Sequence, residues 1–142
     1  MRKLTHSDIP ILVQIAEKVL PQRWRKEDFE YFISHPASYS AAVVDEGNEV
    51  VSFYLALKMG LDLDTLIIAT HPDHQRKGWA QKILNGIQQD LNIVKMFLEV
   101  DTRNKAAIAL YEKCGFQTLG IRKKYYQEKY DAFNMRWIRS NS

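Results

Sequence analysis

Apolar positions recur at Ile9, Leu12, Val13, Ala16 and Leu20, a helical stripe that Thr5 or Ser7 is placed to cap and Pro21 to end. A second short helix is expected over Lys26 to Ser34, with Phe29, Phe32 and Ile33 inward, stopping before Pro36. The pattern then shortens. Ser40 to Val44 and Val50 to Leu57 predict two strands joined at Asp45-Glu46-Gly47-Asn48, a hairpin signal. Thr65 to Thr70 predicts a third, closed by Pro72. Helical spacing returns from Trp79 to Leu91, with Ile83, Leu84, Ile87 and Leu91 on one face. Met96 to Val100 predicts a strand and Asn104 to Cys114 a helix stopped by Gly115. Phe116 to Ile121 and Phe133 to Ile138 predict final strands around a polar loop. This order predicts an α/β fold, a mixed sheet with helices on its faces.

Composition narrows the class without naming a chemistry. The 142 residues suit one domain spanning 1–142, and no repeat, low-complexity segment or linker divides them. Hydrophobic residues make up 46% and charged residues 26%, as in a globular protein. No apolar run nears the roughly 18 residues of a membrane span, and no signal-peptide core follows Met1, so no membrane role is expected. The single cysteine, Cys114, excludes an intrachain disulfide and fits a cytoplasmic location. The net charge of +3 permits an acidic partner without requiring one.

The first chemical signal is Gln75-Arg76-Lys77-Gly78-Trp79-Ala80, between the strand Leu66-Ile67-Ile68-Ala69-Thr70 and the helix that Trp79 opens. The first amides of a helix lack intrahelical partners and sit at the positive end of its dipole, so such a turn can hold phosphate. Gly78 allows close backbone approach, Ala80 leaves space, and Arg76 and Lys77 add charge. The spacing is neither that of the P-loop nor that of the dinucleotide-binding glycine fingerprint.

Gln-x-x-Gly-x-Ala after a strand, followed by Asn104-Lys105-Ala106-Ala107-Ile108-Ala109-Leu110-Tyr111-Glu112-Lys113-Cys114-Gly115-Phe116, resembles the GCN5-related N-acetyltransferase (GNAT) superfamily over nearly the whole chain. The resemblance implies a GNAT-like mixed, mostly antiparallel sheet flanked by helices. It implies acetyl-coenzyme A (acetyl-CoA) as acetyl donor, its pyrophosphate held by the amides of Gln75, Arg76, Lys77, Gly78, Trp79 and Ala80. The segment from Leu98-Glu99-Val100 through Gly115-Phe116, extended by Arg122-Lys123-Lys124-Tyr125-Tyr126, is similar to the RimI type, the ribosomal-protein-alanine N-acetyltransferases. That likeness implies Glu99 as base, Tyr111 as acid, Asn104 as a coenzyme contact, and Tyr125, Tyr126 and Trp24 near a peptide groove. The chain departs from that pattern at Ile67, after Tyr126 and before Trp24, all on the acceptor side. The implied partner is a protein or peptide N-terminus. A small amine or antibiotic is the alternative acceptor, and a non-catalytic acyl-CoA-binding module the remaining reading.

Acetyl transfer from a thioester to an amine needs a base for the amine, donors for the carbonyl oxygen and a proton for the departing thiolate. A lysine-like amine has a pKa near ~10.4 and an α-amine near ~7.7–8, so either gains from a base. Glu99 stands within an apolar strand, where a carboxylate tends to have a raised pKa, although strand alternation alone could turn it to solvent. Tyr111 shares a helical face with Ala107 and Cys114. A phenol near ~10 against a thiol near ~8.5 makes proton donation mildly uphill, and a core aromatic is the plainer role. Oxyanion donors are expected among the backbone amides of Ile68, Ala69 and Thr70, where such a sheet splays. His6, His71 and His74 lack metal-ligand spacing, so no metal is expected. Cys114 reads as a small core residue. Arg122-Lys123-Lys124 reads as a solvated strand edge, not a nucleic-acid patch.

Overall fold

The computed structural model describes residues 1–126 and 130–140, and side chains throughout those ranges except at 124–126. A short 3-10 turn, His6–Asp8, leads into α1 (Ile9–Val19), followed by α2 (Lys26–Ser34). Three strands come next, β1 (Ser38–Val44), β2 (Val50–Met59) and β3 (Asp62–Thr70). Then follow α3 (Trp79–Gln88), β4 (Lys95–Asp101), α4 (Lys105–Lys113), β5 (Gln117–Tyr126) and β6 (Tyr130–Ile138). The six strands form one mixed sheet in the order β1-β2-β3-β4-β6-β5, antiparallel except between β3 and β4.

Two apolar cores sandwich this sheet. Leu12, Ile15, Ala16 and Phe29 of α1 and α2 pack on Phe53, Leu55, Ile67 and Ala69 of one face. Ile83, Leu84, Ile87, Tyr111 and Cys114 of α3 and α4 pack on Leu63, Met96, Leu98 and Val100 of the other. Alternation along β4 puts Met96, Leu98 and Val100 on one face. In β3 a register shift between Thr65 and Ile67 lets Leu63 face one core and Ile67 and Ala69 the other.

The pattern overshoots at the end of α3. The helix stops at Gln88, and Leu91 is 78% exposed rather than inward. Arg139 explains the stop, because its guanidinium donates to the carbonyls of Gln88, Asp90 and Ile93. Ile93, fully buried, takes the inward place instead. β2 and β3 also run further than expected, into a tight hairpin at Gly60, whose φ of 62° only glycine adopts freely. β5 reaches Tyr126.

The entry to α1 is pinned by charge. Asp8 is 6% exposed and accepts from both terminal nitrogens of Arg2, at 2.9 and 2.8 Å, and from the Thr5 amide at 2.7 Å. Burial works against the charge, but these donors outweigh it and hold the carboxyl below its ordinary value. Asp8→Ala should therefore cost about 2–3 kcal/mol at neutral pH, through the stranded Arg2 and the lost cap. A lowered folded-state pKa stabilises above the unfolded value and loses that effect as pH falls through the folded one. Urea unfolding should show a wide gap between wild type and variant at neutral pH, closing below pH about 4. A gap constant with pH would show that the ion pair contributes nothing.

Candidate functional site

β3 and β4 stay together only briefly. Their parallel pairing covers Asp62 with Lys95, Leu63 with Met96 and Asp64 with Phe97, and then the strands part. A bulge in β3 marks the parting: Leu55 of β2 faces Ile67 and Ala56 faces Thr65, leaving Leu66 extra. Leu66 and Ile67 consequently both join the core under α1 and α2, instead of alternating.

Two clefts open at the split. The first, of about 490 Å³, runs between Thr65–Ile68 of β3 and Leu98–Asp101 of β4. Asn104, Ala107 and Tyr111 line it, as do Lys18–Pro21 after α1. The second, of about 540 Å³, is walled by Trp24, Phe32, Asp64, Phe97 and Arg122 among others. Thr65, Leu66, Leu98 and Glu99 line both, so the clefts meet at the split. Strand residues alternate the edge to which N–H and C=O point. Past Asp64, alternate amides of β3 thus face the opening with no strand opposite.

Tyr111 belongs to the α3/α4 layer and is 7% exposed. Among the described residues nothing hydrogen-bonds its hydroxyl. Burial, and to a lesser extent Cys114, push its pKa above the ordinary phenol value, so it stays protonated. Proton donation is therefore more steeply uphill than solution values imply.

Glu99 alternates with Leu98 and Val100, which are buried under α3 and α4, and so turns toward the α1/α2 side. Its side chain is 26% exposed, with Oε1 3.4 Å from Nη1 of Arg122 on β5. Its setting is thus less apolar than the strand suggested. Arg122 is exposed as expected of an edge, but its head is directed at Glu99 and it lines the second cleft.

The turn between β3 and α3 keeps its amides open. Among the described residues the backbone N–H groups of Gln75 to Ala80 donate to nothing. Arg76 (φ 64°) and Gly78 (φ 79°) are both left-handed, and a Cβ added to Gly78 would meet nothing within 4 Å. Arg76, Lys77 and Gly78 are exposed, whereas Trp79 and Ala80 are half-buried. The Gln75 side chain donates to the Thr70 carbonyl at 3.3 Å, tying the turn to β3. Trp79 packs on the α3/α4 core beneath Lys82, and its indole N–H has no partner among the described residues.

Not every expected contact converges. Ile68, Asn104, Glu99 and Tyr111 line the first cleft, and Trp24 lines the second. The side chains of Ala69 and Thr70 are engaged elsewhere, Ala69 in the α1/α2 core and Thr70 with Ser52 at 2.8 Å. Asn104 caps α4, its Oδ1 accepting from the Ala107 amide at 3.1 Å. Trp24 stacks near Phe29 and Phe32. The side chains of Tyr125 and Tyr126 lie outside the described residues. Asp64, Leu66, Phe97 and Arg103 line the clefts without having been marked as site residues by any sequence motif. Phe97 was findable, since it precedes Glu99 by one strand period, but nothing local marks a bulge at Leu66. No group of three or more His, Cys, Asp or Glu among the described residues could hold a metal ion.

The model of the acetyltransferase (GNAT) family matches residues 9–116. The chain is 32% identical over 127 residues to the [ribosomal protein bS18]-alanine N-acetyltransferase of Salmonella typhimurium, covering 87% of this chain and 84% of that protein. It is 29% identical over 155 residues to an N-alpha-acetyltransferase of Saccharolobus solfataricus, covering 95% and 90%. Its fold superposes on the ribosomal-protein-S18-alanine N-acetyltransferase of Escherichia coli with a TM-score of 0.86 at 24% identity, over 99% of this chain and 94% of that one.

Proposed function

Because the chain belongs to the GNAT acetyltransferase family, we propose that it moves acetyl from acetyl-CoA to the N-terminal α-amine of a protein, with Glu99 as base and Tyr111 as acid. The split sheet carries this reading. It is an opening reached from the α3/α4 layer, where Tyr111 stands, and from the α1/α2 side, to which Glu99 turns.

The residues fit the donor. Open amides from Gln75 to Ala80, with Arg76 and Lys77 beside them, suit a diphosphate, and Gly78 leaves room for it. An acyl arm reaching from there to the split would meet the amides of β3 beyond its pairing with β4, which could donate to the thioester oxygen. From the second cleft the amine nitrogen attacks the carbonyl carbon, and Glu99 takes its proton directly or through water. The carbon–sulfur bond breaks, and the thiolate takes the Tyr111 proton. Exchange with solvent restores both side chains.

The N-terminal acceptor rests on the likeness to enzymes named for that activity and on the aromatic wall of Trp24, Phe32 and Phe97 along a cleft of about 540 Å³. The test is a set of N-terminal peptides and small amines assayed by thiol release, with calorimetry of acetyl-CoA binding. Rates on an alanine-first peptide should far exceed those on free amines. Faster acetylation of small amines would overturn the acceptor, and absence of acetyl-CoA binding would overturn the whole reading.

A further inference from the structure

The second cleft holds a carboxylate that the reaction above does not use. Asp64 lines it beside Trp24, Phe97 and Glu99. It is the last β3 residue paired with β4, opposite Phe97, and Glu99 is the next residue of β4 on the same face. Strand spacing and rise put the Asp64 and Glu99 backbones roughly 8 Å apart. Arg122, a cation on the same wall, is directed at Glu99. Among the described residues Asp64 makes no hydrogen bond or ion pair. Its side chain is exposed to solvent, and the partial burial of its inner side pushes its pKa up. An exposed carboxylate on a cleft wall is available to pair with a cation that the cleft admits.

We propose that Asp64 is a specificity-determining residue that pairs with a positive side chain on the acceptor, so that the preferred N-terminus carries Lys or Arg within its first two residues. This rests on the acetyl-transfer reading above. With the reacting amine near Glu99, the next Cα lies about 3.8 Å further on, and a lysine or arginine stem can cover the remaining distance to Asp64. A neutral side chain would leave the carboxylate alone, and an acidic one would be repelled.

Four peptides test this, beginning Ala-Lys, Lys-Ala, Ala-Ala and Ala-Glu, together with a small diamine. In the wild type, kcat/KM for the better basic peptide should exceed that for Ala-Ala by roughly two- to fivefold, mostly in KM and shrinking with salt. Asp64→Asn should erase the preference and Asp64→Lys should turn it toward Ala-Glu. Asp64 is exposed and has no hydrogen-bond or ion-pair partner among the described residues, so both variants should fold, which thermal melting and acetyl-CoA binding verify. A wild type indifferent to charge, or a preference that survives Asp64→Asn, overturns the proposal. If peptides outrun the diamine whatever their charge, the N-terminal acceptor stands and the role of Asp64 falls. If the diamine is fastest and Asp64→Asn abolishes its advantage, the charge pairing stands and the peptide acceptor falls.

Discussion

Tyr111→Phe should reduce turnover by about a hundredfold or more while leaving the fold and acetyl-CoA affinity nearly unchanged. General acid catalysis contributes roughly 10²–10⁴-fold, and a hundredfold is about 2.7 kcal/mol of barrier. The ring is almost fully buried between Phe116 and the Cys114 side of α4, so phenylalanine keeps the packing. The hydroxyl has no hydrogen-bond partner among the described residues, so its removal strands nothing. Melting temperature should hold, because Tyr111 lines the first cleft and the loss of its hydroxyl removes no hydrogen bond made by the described residues. That combination, a stable protein with a much slower chemical step, separates a proton donor from a core aromatic. Single-turnover kinetics beside calorimetry would show it. Unchanged turnover would return Tyr111 to the core.

Gly78→Val should weaken acetyl-CoA binding about 30-fold, roughly 2 kcal/mol, with far less change in turnover at saturation. At φ 79° a β-branched residue is strained by about 1–2 kcal/mol, so the turn would shift its amides. The added carbons meet no protein atom near Cβ and would occupy the space assigned to the diphosphate. Gly78→Ala should show a smaller loss of the same kind. Calorimetry with acetyl-CoA reads both. Wild-type affinity in the valine variant would place the phosphates elsewhere.

How much of this was legible depended on whether a feature was local. α2 matches its expected span from Lys26 to Ser34, because a short apolar stripe before a proline leaves few alternatives. α3 was overrun because Leu84, Ile87 and Leu91 keep helical spacing, while the groove that ends the helix is closed by Arg139 from beyond the last strand. The turn at Gly78 was readable as an open-amide turn from glycine between a strand and a helix. The split was inferred only through the resemblance, since Leu66 and Ile67 look like any strand interior and the bulge exists only against β2. Glu99 was visible by its position, but its neighbour Arg122 comes from a strand placed beyond β6. Asp64 carried no signal, because an acid at the start of a strand is ordinary until an aromatic wall rises beside it.

Past its three paired positions the sheet becomes two panels, β1-β2-β3 and β4-β6-β5, joined along a short seam. The amides proposed to meet the thioester oxygen ride on one panel, whereas Glu99, the proposed base, rides on the other together with the strands that frame α4. On the proposed mechanism, groups held this way are aligned by the dihedral between panels more than by any single side chain. Stiffness of that seam, governed by residues that touch neither substrate, therefore sets how faithfully the chemistry is aimed.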